Sequence, residues 1–118
     1  MRIILARHGE TDYNKNKMVQ GHTDIPLNEE GIRQGIAAGK KIEGYTIDVA
    51  YSSTLGRAFD TARYMLDNSN SEDNKKLAVI KDKRLIEKSY GEYEGVSFAE
   101  YGAGLKAGET RGMELDSD

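Results

Sequence analysis

A histidine stands beside an arginine near the start of the chain, in the segment Arg7-His8-Gly9-Glu10-Thr11. An imidazole can act as a nucleophile or transfer a proton near neutral pH, and the neighbouring guanidinium can bind an anion. Gly9 carries no side chain, so a ligand can approach the backbone closely there. On these five residues alone, a surface histidine in a turn is an equally good interpretation, and other residues must decide between the two.

Arg57 is the second candidate, because it lies in the first turn of a predicted helix that follows a predicted strand. Residues 2–6 form a short apolar run that ends at polar residues, which is typical of a buried parallel strand, and residues 47–51 predict another. Parallel strands end at one edge of a sheet, so Arg7 and Arg57 are expected to lie close enough to clamp a phosphate between two guanidinium groups. An isolated Arg57 would instead be a solvated surface charge.

The remaining elements predict an α/β fold. Asn28 is a candidate cap for a helix that has an apolar side and ends near Gly44; the apolar side consists of Ile32, Ile36 and Ala37. Ser52 and Ser53 are candidate caps for a second helix, whose apolar face consists of Leu55, Phe59, Ala62 and Leu66. Residues 67–76 predict an exposed loop and residues 77–80 a third strand. The alternation favours three α/β/α layers around a mostly parallel sheet.

Composition limits the function classes. A chain of 118 residues predicts a single domain over residues 1–118, and 23 Leu, Ile, Val and Phe residues predict a thin core. A net charge of −3 argues against nucleic-acid binding. The absence of Cys excludes a disulfide framework and fits the cytoplasm, and no apolar run reaches the length of a membrane span. Residues 97–118, acidic and rich in Gly, predict a weakly structured tail.

The sequence up to about Gly95 resembles the histidine phosphatase superfamily, the phosphoglycerate-mutase-like group. Five pieces in the family's order and spacing carry the resemblance: RHGET at 7–11, Asn14, QGHTDIPLNEEGIRQ at 20–34, SSTLGRAFDTA at 52–62 and LIEKSYGEYEG at 85–95. The resemblance implies that His8 attacks phosphorus and forms a phosphohistidine, which water hydrolyses or a second substrate accepts. It implies no metal and no cofactor.

The resemblance also implies roles for other residues. Arg7 and Arg57 match the positions that clamp the phosphoryl group. Asn14 matches a further phosphate contact, and Gln20, Gly21 and Thr23 belong to the loop nearest the substrate.

Glu87 matches the general acid, and Glu10 is a weaker competitor for that role. Without the resemblance, Glu87 would be read as an exposed glutamate at a strand end. Glu92 and Glu94 flank a tyrosine in a turn and are expected to be solvated.

Two features refine the expected activity. The first motif resembles the compact phosphatase branches more than the dedicated mutases, which typically carry a Trp there; the chain has no Trp. The family also uses a second catalytic histidine from a Gly-His motif far along the chain. Only two histidines are present, and His22 lies where the pattern predicts a surface or substrate-loop residue. The expected function is therefore hydrolysis of a small phosphomonoester, with mutase-type transfer as an alternative.

The missing histidine predicts a truncated domain. In the family fold, the strand that carries this residue lies between the first two strands of the sheet, so its loss would expose unpaired backbone groups. A homo-oligomer through these exposed edges is one expected consequence. Two hypotheses remain: an enzyme weakened by truncation, and an inactive module that binds phosphate or self-associates.

Overall fold

Two short parallel strands and four helices form the part of the chain that the computed structural model describes, residues 2–95 and 97–99. In chain order they are α1 (Asp12–Lys15), α2 (Glu29–Lys41), β1 (Ala50–Ser52), α3 (Gly56–Asp67), α4 (Glu72–Lys76) and β2 (Val79–Lys81), followed by 3₁₀ turns at Lys83–Leu85 and Gly91–Tyr93. The α/β fold class is confirmed.

The two strands lie side by side and run in the same direction. Ala50 pairs with Val79 and Ser52 with Lys81, and the connection between the strands contains α3 and α4. The N–H of Asp82 donates to the carbonyl of Ser52 over 2.8 Å, which continues the pairing beyond β2. The predicted strands at 47–51 and 77–80 both exist, although each begins two or three residues later than predicted. Their carboxyl ends therefore lie at one edge.

The predicted strand at residues 2–6 is wrong. These residues form no strand in the described part of the chain, and Ile3 and Leu5 are 70% and 90% exposed. A strand exists only where its N–H and C=O groups pair with a neighbour. Within residues 2–95 and 97–99 the only ladder joins β1 to β2, so the apolar composition of residues 2–6 is not sufficient to make them a strand.

Helices α2 and α3 pack against each other through small residues. Asn28 caps α2 as predicted, since its side-chain oxygen accepts from the N–H of Gly31 over 2.8 Å. The prediction of a buried apolar side is wrong, because the buried residues of α2 are Gly31, Gly35 and Gly39. Ile32 and Ile36 are only half-buried and Ala37 is exposed. A Cβ on Gly35 would lie 3.0 Å from Cβ of Tyr64, so the glycines allow the two helices to approach closely.

The start of α3 differs from the prediction. Neither Ser52 nor Ser53 caps it, because the N-cap is Leu55, which makes no side-chain cap bond. The Ser53 hydroxyl instead accepts from the N–H of Leu55 over 3.1 Å. Leu55 and Leu66 of the predicted face are buried in a small core, while Phe59 and Ala62 are half-buried.

Residues 67–76 are not simply a loop. They contain α4, which is capped by Ser71, and Asn74 is fully buried. The Asn74 side chain accepts from the N–H of Ile47 over 3.0 Å and donates to the carbonyl of Tyr45 over 3.0 Å. A polar sequence here folds inward because one amide satisfies the backbone of the segment leading to β1.

The tail prediction for residues 97–118 lies outside the described residues except at its start. Ser97 forms an antiparallel bridge with Met18, and the N–H of Phe98 donates to the carbonyl of Lys17 over 2.8 Å. In the part of the chain that the structure describes, no helix is both long and apolar enough to cross a bilayer.

Candidate active site

The segment that carries His8 is held between two helices. A Cβ on Gly9 would lie 2.4 Å from the carbonyl oxygen of Gly31, so only glycine allows this contact with the first turn of α2. The Gly9 N–H donates to the Thr61 hydroxyl of α3 over 2.9 Å, and that hydroxyl donates to the carbonyl of Arg57 over 2.7 Å. His8 is thus fixed relative to both α2 and α3, although residues 2–6 before it form no strand with any other described residue.

One hydrogen bond determines which nitrogen of His8 can react. Nδ1 lies 2.6 Å from the carbonyl oxygen of Gly9. A carbonyl only accepts, so Nδ1 carries the proton in this bond and the neutral ring keeps its lone pair on Nε2. Burial lowers the pKa of His8 below its ordinary value, and the charges of Arg57 and Arg7 act in the same direction, against the opposing effects of Gly9 and Glu87. The lowered pKa favours a neutral imidazole, and the hydrogen bond to Gly9 leaves the lone pair of that neutral ring on Nε2.

His8 lines an open cleft of about 390 Å³. Arg7, Glu10 and Asn14 line it together with residues of α2 and Thr61 of α3. Arg7 is exposed, so its guanidinium is accessible to a ligand that enters the cleft from solvent. The side-chain oxygen of Asn14 accepts from the N–H of Thr11 over 3.0 Å, which fixes that residue at the start of α1.

Arg57 has no exposed surface and forms the centre of a hydrogen-bond cluster. Its guanidinium donates to the carbonyls of Thr23 and Gly21 over 2.6 and 2.5 Å and to the Glu87 carboxylate over 3.0 Å. Its buried Nε–H has no acceptor among the described residues. A buried donor without a partner is costly, and an anionic oxygen would satisfy it.

Glu87 reaches Arg57 because the two residues follow neighbouring parallel strands. Arg57 lies five residues after the end of β1 and Glu87 six residues after the end of β2. The side chain of Glu87 is 21% exposed, so it is partly accessible to solvent while it is paired with the guanidinium. The His22 ring lies at the surface and its Nε2 contacts the carbonyl of Glu87 over 2.5 Å.

The loop of residues 20–23 contributes mainly through its backbone. The Gln20 side chain is buried and accepts from the Thr11 hydroxyl over 2.5 Å, so it joins this loop to α1. Gly21 has a φ of +55°, a left-handed conformation that favours glycine. The eight residues predicted for the site are therefore connected by hydrogen bonds and the cleft. Arg7, His8 and Asn14 line the cleft, Gly21, Thr23 and Glu87 bind the Arg57 guanidinium, and Gln20 binds Thr11.

The sequence analysis missed two residues of this region. Thr61 lies four residues after Arg57 on α3, and this spacing on one face of a helix is a usable signal. Glu94 was expected to be solvated, which is wrong: its carboxylate accepts from the N–H of His22 and of Tyr90 over 3.0 and 3.1 Å. Glu92 is exposed as expected. No local pattern distinguishes these two glutamates.

Glu10 is occupied elsewhere. Its carboxylate accepts from the Asn28 side chain over 3.0 Å, and its N–H donates to the Gln34 side chain over 2.8 Å. These contacts tie it to the start of α2. Among residues 2–95 and 97–99, no three His, Cys, Asp or Glu side chains cluster closely enough to hold a metal ion.

The family model described as histidine phosphatase superfamily, branch 1, matches residues 3–111. The chain therefore belongs to this superfamily, and the resemblance drawn from its motifs is confirmed. Solved relatives share its fold at one-third sequence identity, as the next comparisons show.

Phosphoglycerate mutases and a phosphatase are both similar to this chain. The 2,3-bisphosphoglycerate-dependent phosphoglycerate mutase of Treponema denticola is 39% identical over 102 residues, which cover 85% of this chain and 40% of that protein. A phosphoglycerate mutase from Bacillus anthracis is 33% identical with a TM-score of 0.78 over 91% of this chain and 46% of that chain. A mycobacterial glucosyl-3-phosphoglycerate phosphatase with VO3 is 33% identical with a TM-score of 0.72, covering 86% and 47%.

This chain thus spans about 40% of the length of the curated relatives it matches and about half that of the solved structures. The matched part contains the His8 segment, the Arg57 helix and the Glu87 turn.

Proposed function

We propose that this protein hydrolyses a small phosphomonoester through a phosphohistidine formed on His8. The observation that carries the proposal is the bond from Nδ1 of His8 to the carbonyl of Gly9 over 2.6 Å, in a cleft that Arg7 also lines. The bond leaves the lone pair of the neutral ring on Nε2, and the lowered pKa of His8 favours that neutral ring. Nε2 is the atom that would attack phosphorus.

In the first step, Nε2 forms a bond to phosphorus while the bond from phosphorus to the leaving oxygen breaks. The charge that spreads over the transferring phosphoryl oxygens is stabilised by the Arg7 and Arg57 guanidinium groups. The buried Nε–H of Arg57, which has no acceptor among the described residues, is the donor proposed to contact a phosphoryl oxygen once the groups that cover Arg57 move aside, since Arg57 has no exposed surface. In the second step, water attacks phosphorus and the bond to Nε2 breaks.

Glu87 is the group proposed to pass a proton to the leaving oxygen, after its carboxylate has taken that proton from the monoanionic phosphate ester, and to take one back from the attacking water. Its carboxylate lies 3.0 Å from the Arg57 guanidinium, so the acid and the phosphate clamp are held together. An anionic phosphoryl group entering beside Arg57 would compete for the same N–H group. This competition would release the Glu87 carboxyl toward the leaving oxygen.

The experiment is phosphate release by the purified chain, without added metal, from p-nitrophenyl phosphate and from 3-phosphoglycerate. His8→Asn keeps a side-chain N–H for the Gly9 carbonyl but has no nucleophilic nitrogen, so turnover should disappear and no phosphohistidine should be trapped by alkaline quenching. Glu87→Gln should slow 3-phosphoglycerate more than p-nitrophenyl phosphate, because p-nitrophenolate leaves without a proton. Equal turnover by His8→Asn would overturn the proposal.

Mutase-type transfer is the second candidate, and the names of the curated relatives favour it. The phosphohistidine would then be handed to a second phosphoglycerate hydroxyl rather than to water. The two activities separate when the chain is incubated with 3-phosphoglycerate and the products are followed by ³¹P NMR. A growing 2-phosphoglycerate signal identifies transfer, whereas inorganic phosphate identifies hydrolysis.

An inactive phosphate-binding module is the third candidate, favoured by the presence of only two histidines, of which His22 contacts the Glu87 carbonyl. It predicts that phosphate raises the melting temperature of the wild type while no substrate is turned over. Arg57→Lys, which keeps the charge but not the planar fork, should then abolish the shift.

A further inference from the structure

Glu94 gathers hydrogen bonds from two segments of the chain. One carboxylate oxygen accepts from the N–H of His22 over 3.0 Å, from the N–H of Tyr90 over 3.1 Å and from the Ser89 hydroxyl over 3.2 Å. The other accepts a short bond from the Thr23 hydroxyl. All four groups donate to the carboxylate, as the donors of an anion-binding site do to a bound anion.

The loop that Glu94 holds is the one that orients Arg57. Residues 21–23, called here the clamp loop, present the carbonyls of Gly21 and Thr23 to the guanidinium over 2.5 and 2.6 Å. Glu94 binds the intervening residue, His22, through its N–H. The carboxylate therefore fixes the backbone between the two carbonyls that aim the arginine.

The fit between Glu94 and the clamp loop excludes a side chain at position 21. A Cβ on Gly21 would lie 2.5 Å from the Glu94 carboxylate, and φ at Gly21 is +55°. Both the space and the backbone conformation therefore require glycine. Gly21 thus allows the carboxylate to lie directly against the turn.

We propose that Glu94 is a positioning residue, whose carboxylate holds the clamp loop in the conformation that orients the Arg57 guanidinium toward a phosphoryl group. The inference rests on the proposed function, in which Arg57 binds that group. Within the described residues, none of the hydrogen bonds of the Glu94 carboxylate joins it to Arg57 or His8. It acts through the backbone of residues 21–23.

The charge of Glu94 is suited to this task. Burial by itself would raise the pKa of Glu94, but bonds from the Thr23 hydroxyl, the His22 N–H and the Ser89 hydroxyl outweigh it and lower the pKa. The group therefore stays a carboxylate, able to accept all four bonds, throughout the neutral range.

The test uses the full chain and two readouts. The first is the ¹H–¹⁵N resonance of the Arg57 Nε–H, assigned by its loss in Arg57→Lys and recorded without any ligand. The second is the affinity for inorganic phosphate, measured by calorimetry. Glu94→Ala should move the resonance and weaken phosphate binding about tenfold or more, since misplaced binding groups lose their geometry. Glu92→Ala, two residues away and exposed, should change neither.

Conservative variants separate positioning from folding. Glu94→Gln has the same shape and one acceptor oxygen, so it should restore the resonance and phosphate affinity in part. Thr23→Val removes one of the four donors and should shift the Arg57 resonance even where Glu94→Ala does not fold. An unchanged Arg57 resonance in both Glu94→Ala and Thr23→Val, or in Thr23→Val alone if Glu94→Ala is unfolded, would overturn the inference.

Failure of the proposed function gives a different result. In that case the wild type would show neither turnover nor phosphate binding, while the ligand-independent resonance would still report whether Glu94 orients Arg57. A shifted resonance then supports the positioning role alone, and an unshifted one rejects it.

Discussion

The charged Arg57 is buried and the apolar Leu5 is exposed, the reverse of what the chemistry of the two side chains would suggest. The guanidinium of Arg57 has no exposed surface, whereas the apolar side chain of Leu5 is 90% exposed. Arg57 is surrounded by two carbonyls and a carboxylate that accept its hydrogen bonds, while residues 2–6 have no pairing strand in the described part of the chain. Burial here follows the availability of partners rather than hydrophobicity alone.

The difference has a local cause. Among the described residues, the partners of the Arg57 guanidinium are Gly21, Thr23 and Glu87, which the connections around β1 and β2 bring to one edge. A parallel strand at residues 2–6 needs a neighbour with a complementary row of N–H and C=O groups. A buried polar side chain needs only a few hydrogen-bonding atoms as partners, whereas a strand needs the backbone of an entire neighbouring segment.

The largest expected effect tests whether the region of His8 and Arg57, whose polar groups have hydrogen-bond partners, also carries the activity. His8→Asn should lower phosphohistidine formation by at least about 10³-fold, because no other histidine of the described residues lines the cleft. Alkaline quenching followed by ³¹P NMR measures it. Leu5→Ser serves as the matched change in the unpartnered region and should retain the activity. Loss of activity in Leu5→Ser would mean that the two regions are not independent.

Arg57→Ala should cost about 3–5 kcal/mol of unfolding free energy, because it leaves the Glu87 carboxylate and two carbonyls without their donor. Urea unfolding followed by circular dichroism measures the loss. Arg57→Lys keeps the charge but cannot form all the bonds of the planar fork, so it should lie between the wild type and the alanine variant. A cost below about 1 kcal/mol for Arg57→Ala would show that the cluster contributes little.

The pH dependence of stability tests the neutral state of His8. Its pKa is lowered on folding, so below pH 6.5 the unfolded chain binds a proton that the folded chain does not. The free energy of unfolding should therefore fall as pH decreases from 6.5 toward the folded pKa, by at most about 1.4 kcal/mol per pH unit for one proton. The slope should be smaller in His8→Asn than in the wild type; equal slopes would contradict the assignment.

The smallest expected effect sharpens the other side of the comparison. Leu5→Ser should change the free energy of unfolding by no more than about 0.5 kcal/mol, as exposed positions usually do. A leucine in a buried strand would lose about 2–5 kcal/mol on truncation to alanine. Urea unfolding of Leu5→Ala therefore distinguishes the observed exposure from a buried strand, and a loss above about 2 kcal/mol would show that residues 2–6 are enclosed in solution.

The sequence predicted the elements whose signals are local. Asn28 caps α2, the strand signals at 47–51 and 77–80 lie within three residues of β1 and β2, and the superfamily was recognised from its motifs. Arg57 could be predicted because it follows a strand signal, whereas His8 follows residues that form no strand in the described part of the chain. Glu87 was predicted through the family resemblance. Their roles in phosphoryl transfer stay predictions.

What the sequence by itself determined is which groups could do chemistry and in which order they follow the strands. Only the tertiary structure decided their partners: Gly31 and Gly35 form the buried side of α2 in place of isoleucines, and Glu94 binds the clamp loop while Glu92 is exposed. The physical reason is that caps and periodicity depend on residues a few positions apart. Hydrogen bonds such as that between Glu94 and His22 join residues 72 positions apart, which no local pattern specifies.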